Sequence, residues 1–163
     1  MTSPNTPSRP DPQQLRTWAL DWLHRTDRSR QHIQNRLLER GGDPDHVQSL
    51  LDEFQQRGWI DDQRCAEALA TRWCRSGSLA PDALALRLQE EGIDSHIART
   101  VAGCDEGPAP VELAMDLAQR RLAGLASKPP EVIIRRLQGV LARKGYDEEV
   151  VLEVLERLDL LHR

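Results

Sequence analysis

Leu37-Leu38-Glu39-Arg40-Gly41-Gly42-Asp43-Pro44 holds the punctuation that decides the fold. Leu37 closes an aliphatic series at helical spacing that includes Ile33. Gly41 follows as a residue free to take positive φ where a helix ends. Asp43 has the chemistry of an N-cap, and Pro44 suits a first helical position, where its missing N–H costs nothing. The stretch therefore predicts one helix closing and the next opening. The same punctuation returns at Gly92-Ile93-Asp94 and Gly145-Tyr146-Asp147, 51 and then 53 positions later. Eight residues before each glycine stands an aliphatic residue (Ile33, Leu84, Leu137), and four before stands a leucine (Leu37, Leu88, Leu141). A period near fifty marks a solenoid-like array, in which each unit must stack on a neighbour to bury its apolar face. Such arrays usually serve as binding surfaces, which turns the functional question away from catalysis.

Outward from these turns, Leu15, Trp18, Ala19, Trp22 and Leu23 predict one face of a helix over about residues 12–25. Ser29 or Asp27 caps a second helix that runs to about Arg40, and Val47, Leu50, Leu51 and Phe54 line a third that ends near Gly58. A second unit opens at Trp59-Ile60-Asp61-Asp62 and repeats the first at an offset of 51, with Trp22 on Trp73 and Leu23 on Cys74. Gly103 to Pro110 is the clearest breaker stretch. Beyond it, Leu113, Ala114, Leu117, Ala118 and Leu122, then Leu137 and Leu141, then Val150 to Leu158, form a third set. The expected fold is all-α, with three tandem three-helix repeats forming an elongated, curved array. The expected division is a disordered tail over 1–11, repeats over 12–58, 59–104 and 111–163, and a linker over 105–110.

Composition agrees with small helical cores: 39% hydrophobic, 29% charged and only 4% aromatic over 163 residues. The net charge of −4 is uneven: +3 over residues 12–40, −7 over 41–109, +4 over 110–146 and −4 over 147–163. Basic ends around an acidic middle allow contact with a nucleoprotein despite the overall acidity. Cys65, Cys74 and Cys104 are odd in number and lack metal-ligand spacing, so reduced thiols and no metal are expected. No apolar run approaches the roughly 20 residues of a membrane span, and the Ser/Thr/Pro-rich start has no apolar leader core. A cytoplasmic protein is expected.

Four stretches stand in a set order and spacing: Asp27-Arg28-Ser29 with Leu37 and Gly41, then Gly58-Trp59-Ile60-Asp61-Asp62-Gln63-Arg64-Cys65-Ala66. Leu88 to Ile93 and Leu141-Ala142-Arg143-Lys144-Gly145-Tyr146 follow. Together they resemble the RecX family, bacterial regulators of the recombinase RecA. The resemblance implies three three-helix repeats and a non-enzymatic protein that docks in the groove of the RecA–single-stranded-DNA filament. There it would hinder filament growth, ATP turnover, strand exchange and co-protease function. The chain departs from the family at Cys65, where Phe is usual, around Leu84, where basic flanks are replaced by Asp82, Ala83 and Ala85, and at Gly139 in place of Arg.

Candidate contacts with the filament or its DNA are Arg28, Arg30, Arg36, Arg72, Arg75, Arg120, Arg121, Arg135, Arg136, Arg143 and Lys144. Arginine offers forked hydrogen bonding to phosphate and carboxylate alike. The competing interpretation is solvated helix faces, with Lys144 and Arg40 placed before capping glycines to suit a helix C-terminus. The acidic middle reads as a solvated face. Trp18, Trp22 and Trp73 sit at core spacing, Trp59 reads as packing between modules, and His46 as half-buried structure. A sequence-reading helix-turn-helix is disfavoured because Asp52-Glu53 and Glu148, Glu149, Glu153 and Glu156 make two third helices acidic. No catalytic arrangement or phosphate loop can be placed, so no cofactor is expected. A monomer is expected; direct single-stranded nucleic-acid binding and a generic helical adaptor are the alternatives.

Overall fold

Nearly every helix in this chain begins on a residue chosen for that place. The structure, a computed structural model, describes residues 9–161. Among them are nine helices and no strand: α1 (Pro12–Arg25), α2 (Arg30–Glu39), α3 (Pro44–Gln56), α4 (Asp62–Trp73), α5 (Pro81–Glu90), α6 (Ser95–Ala102), α7 (Pro110–Ala123), α8 (Pro130–Arg143) and α9 (Glu148–Arg157). Asp11, Ser29, Asp43, Asp61, Asp94 and Asp147 each accept a backbone N–H from the first turn they precede. Helices α5, α7 and α8 have no side-chain cap and begin instead on Pro81, Pro110 and Pro130.

The helices group in threes around separate apolar clusters. Leu15, Ala19, Ile33, Leu37, Val47, Leu51, Phe54 and Ile60 form the first. Cys65, Ala66, Leu84, Leu88, Ile93 and Ala98 form the second, which is thin because three of its six members are small. Leu117, Ile133, Leu137, Leu141, Tyr146, Val151, Val154 and Leu155 anchor the third. The three punctuation leucines are fully buried, one per cluster. Their carbonyls accept from the residue after each glycine: Gly42 N–H to Leu37 at 3.0 Å, Ile93 to Leu88 at 3.1 Å and Tyr146 to Leu141 at 3.2 Å. This closure requires the left-handed backbone seen at Gly145, where φ is +85°.

Neighbouring units touch through turns, and both joints use the same parts. At the first, the turn ending α5 sits on the start of α2. The Ser29 hydroxyl donates to the Glu91 carbonyl at 2.6 Å, and the Arg30 N–H donates to Asp62 at 2.8 Å. At the second, the turn ending α8 sits on the start of α5, where the Ala80 N–H donates to the Lys144 carbonyl at 2.9 Å. The Lys144 ammonium donates to the Gly77 carbonyl at 2.9 Å and the Ser76 hydroxyl at 3.1 Å, and the Tyr146 hydroxyl donates to the Ser78 carbonyl at 3.3 Å. Burial pushes the Tyr146 phenol up to about 12.

Several expectations change. Of the proposed tail, residues 1–8 lie outside the described residues, whereas Arg9 pairs with Asp43 and Asp11 builds a capping box with Gln14. Residues 9–11 are thus tied to the first unit. Ile60, at the expected opening of the second unit, is buried in the first cluster. The breaker stretch folds back on itself, with Gly107 N–H donating to the Gly103 carbonyl at 3.1 Å and Arg99 paired with Asp105 at 2.7 Å; Pro110 is already helical. His46 is exposed, because the α3 face that carries Val47 and Leu51 turns it to solvent.

Candidate functional site

Arginines gather in the cleft between the first and second helices of two units. In the third unit, Arg120 and Arg121 from α7 face Arg135, Arg136 and Arg143 from α8 across a groove of about 510 Å³, floored by Leu125, Leu137 and Val140. None of the lining residues is acidic. Arg120 pairs with Asp116 at 2.6 Å; the other four make no ion pair among the described residues. Arg135 and Arg136 lie in mid-helix, where a helix C-terminus does not explain them.

The matching cleft of the first unit, about 410 Å³, collects Arg25, Arg28, Arg36 and Arg40 around Trp18 and Trp22. Here the cations are largely engaged. Arg36 lies over Trp22 at 4.7 Å, and Arg40 lies over Trp18 at 4.9 Å and Trp22 at 5.2 Å. Arg25 pairs with Asp21 at 3.0 Å. In the second unit, Arg87 lies over Trp73 at 4.1 Å. Trp18, Trp22 and Trp73 pack against the apolar clusters as their spacing suggested, but stay half-buried, with an arginine over the ring of each.

The expected contact set thus divides. Arg120, Arg121, Arg135, Arg136 and Arg143 converge on one groove, and Arg28 and Arg36 belong to another. Arg72 and Arg75 stand apart at the end of α4, exposed. Two members have structural employment instead. Arg30 bonds Asp52 at 2.6 Å and Gln55 at 2.8 Å, with its side chain 20% exposed. Lys144 spends its charge at the second joint. Arg87 was missed, although the repeat offset flags it: Trp22 and Arg36 become Trp73 and Arg87 on adding 51.

The signature Gly58 to Ala66 is architecture. Arg64 reaches Asp27 at 2.9 Å, the Gly58 carbonyl at 3.2 Å and the Trp59 carbonyl at 3.3 Å. Asp61 caps α4, and Asp62 caps α2 from across the joint; burial raises the Asp62 carboxyl against the bonds that favour its charge. Trp59 does not pack between modules. It meets Phe54 of the first unit edge-on at 5.1 Å and stays 38% exposed. Cys65 is buried, and its thiol is pushed up to about 11. Among the described residues, no three His, Cys, Asp or Glu are placed to hold a metal ion, and no helix is long and apolar enough to cross a membrane.

Residues 110–155 match the family description "RecX, third three-helix domain". Over 134 residues the chain is 36% identical to "Regulatory protein RecX" of Thermobifida fusca, covering 80% of this chain and 71% of that protein. The chain belongs to the RecX family. A RecX of Xanthomonas axonopodis pv. citri is 33% identical over 131 residues, covering 79% of this chain and 78% of its own length. The crystal structure of RecX from Lactobacillus salivarius superposes with a TM-score of 0.69 at 20% identity, over 91% of this chain and 97% of that one. That likeness carries the fold: an elongated, curved row of three-helix repeats. Its relatives are named regulatory proteins, so the arginine clefts are best examined as surfaces for a partner.

Proposed function

We propose that this protein is a non-enzymatic regulator that binds the RecA–single-stranded-DNA filament along its helical groove. Bound there, it hinders filament growth, ATP hydrolysis, strand exchange and co-protease function. The observation that carries this reading is 36% identity to a regulatory RecX across most of both chains. The architecture supports it. Cationic clefts sit in the first and third units of a row, separated by the acidic stretch 41–109. A thread of acidic protein surface and phosphate would meet such a row at two places. Units linked in one chain act at high effective concentration once one has docked, so modest contacts add up. The obstruction is steric: a row of helices lying in the groove excludes an incoming duplex.

The test is the DNA-dependent ATPase of the cognate RecA titrated with this protein. Suppression is expected at substoichiometric amounts. ATPase, strand exchange and filament length that all stay unchanged would remove the proposal.

A further inference from the structure

The three units are alike enough for their differences to carry information. Counted seven positions on from the buried Leu15, Ala66 and Ala114, the first helices place Trp22, Trp73 and Arg121. Counted one position before the buried Leu37, Leu88 and Leu141, the second helices place Arg36, Arg87 and Val140. In units one and two these paired positions meet as a guanidinium over an indole, at 4.7 and 4.1 Å. That stack lines the cleft between the helices and occupies the cation, leaving about 410 Å³ open in unit one. In unit three both partners change. Arg121 has no aromatic face to lie on among the described residues, Val140 leaves an apolar floor, and the cleft is larger, at about 510 Å³.

We infer that this α7–α8 groove binds the phosphodiester backbone of single-stranded nucleic acid, making the third unit the nucleic-acid-contacting part of the row. Arg135 and Arg143 are eight residues apart on one helix, which is about 12 Å at 1.5 Å per residue. That span exceeds one phosphate group and suits successive phosphates of a strand. Every cation lining the groove is arginine; its fork grips phosphate in two hydrogen bonds, and its plane stacks on a base. Leu125 and Val140, partly buried between the two ranks of arginine, give bases or sugars an apolar contact that a run of carboxylates would not use.

This inference deepens the proposed RecA regulation but is tested without RecA. The full chain is titrated against a fluorescein-labelled 20-residue oligothymidylate, with anisotropy read at several salt concentrations. Arg135→Ala/Arg136→Ala is expected to weaken binding about tenfold and to flatten the log–log salt slope by about 1.4, for two phosphate contacts at roughly 0.7 each on a single strand. Arg121→Trp/Val140→Arg installs the stacked pair of the other units without changing net charge, and is expected to weaken binding at least fivefold. Arg57→Ala/Arg99→Ala removes two partly exposed arginines that are already paired with Glu53 and Asp105, and is expected to stay within twofold. Thermal melts confirm that each variant is folded. Undiminished binding by the Arg121→Trp/Val140→Arg variant, an equal loss on Arg57→Ala/Arg99→Ala, or displacement by a polyglutamate peptide at oligonucleotide-like concentrations would each overturn the assignment. Suppressed RecA ATPase without oligonucleotide binding would sink the groove alone; oligonucleotide binding without suppression would sink the regulation alone.

Discussion

The hydroxyl of Ser29 donates to the carbonyl of Glu91 across 62 residues of chain, at 2.6 Å, while accepting the N–H of His32 at 3.1 Å. One small side chain, 2% exposed, therefore caps α2 and bolts the second unit to the first. Ser29→Ala removes a cap worth about 1 kcal/mol and leaves a carbonyl unpaired, at about 1–3 kcal/mol. A loss of about 2–4 kcal/mol in chemical denaturation is expected. Ser29→Thr, which keeps the hydroxyl, should recover part of it.

Gly145 separates two effects that glycine substitutions usually mix. An added Cβ there would lie 2.4 Å from the Ala83 Cβ, on backbone with φ of +85°. Gly58 has φ of +69° and nothing within 4 Å of its Cβ position. Gly58→Ala should cost about 1–2 kcal/mol from backbone strain alone. Gly145→Ala should cost about 1–3 kcal/mol more, because the joint must shift. Equal losses would mean that the second joint is slack.

The Arg87–Trp73 stack can be measured as a coupling. A double-mutant cycle with Arg87→Met and Trp73→Leu should return about 0.5–2 kcal/mol. Methionine keeps the apolar stem, so the cycle isolates the cation on the ring. Strict additivity would show that the arginine merely lies nearby.

Acid should loosen the first joint. The His32 Nε2 is buried without a hydrogen-bond partner among the described residues. Burial first, then the charges of Arg28 and Arg36, lower its basicity, against weaker opposition from Glu91 and Glu39. The unfolded chain therefore takes up this proton at higher pH than the folded one, and stability falls as pH drops through and below the ordinary histidine value near 6.5. The melting temperature should fall between pH 7.5 and 5.5, and His32→Gln should reduce that fall. An unchanged pH dependence in the variant would clear His32 of the role.

Thiol labelling offers a local probe. Cys65 is buried with its thiol pushed up to about 11, whereas Cys74 and Cys104 are partly exposed. An excess of alkylating reagent at pH 8 should modify two thiols in the native protein. Cys65 should react only in denaturant; rapid labelling of all three would show that the middle unit opens readily.

Local chemistry was the legible part of this molecule. Gly41, Gly92 and Gly145, the aspartates after them and the proline at Pro44 act on backbone within a turn of themselves, so their meaning survives without coordinates. The joints were not legible. Lys144 looked like a cation at a helix end because its acceptors, Ser76 and Gly77, stand 68 and 67 residues earlier. Arg30 was read as free for the same reason, its partners Asp52 and Gln55 lying on another helix. Periodicity showed which helix face Trp22 and Trp73 share with the core, but not that an arginine would cover the rest. The convergence of Arg120 and Arg121 with Arg135, Arg136 and Arg143 depends on how α8 packs against α7, which spacing along the chain does not measure.

The slender middle cluster has a bearing on how the whole chain melts. With alanine and cysteine in half its places, that segment gains little from its own interior and leans on the abutments at either side. Severing one flank should leave it unable to stand. The row should therefore come apart in one cooperative event rather than brick by brick, each outer triplet guarding the centre that in turn holds them at their working separation.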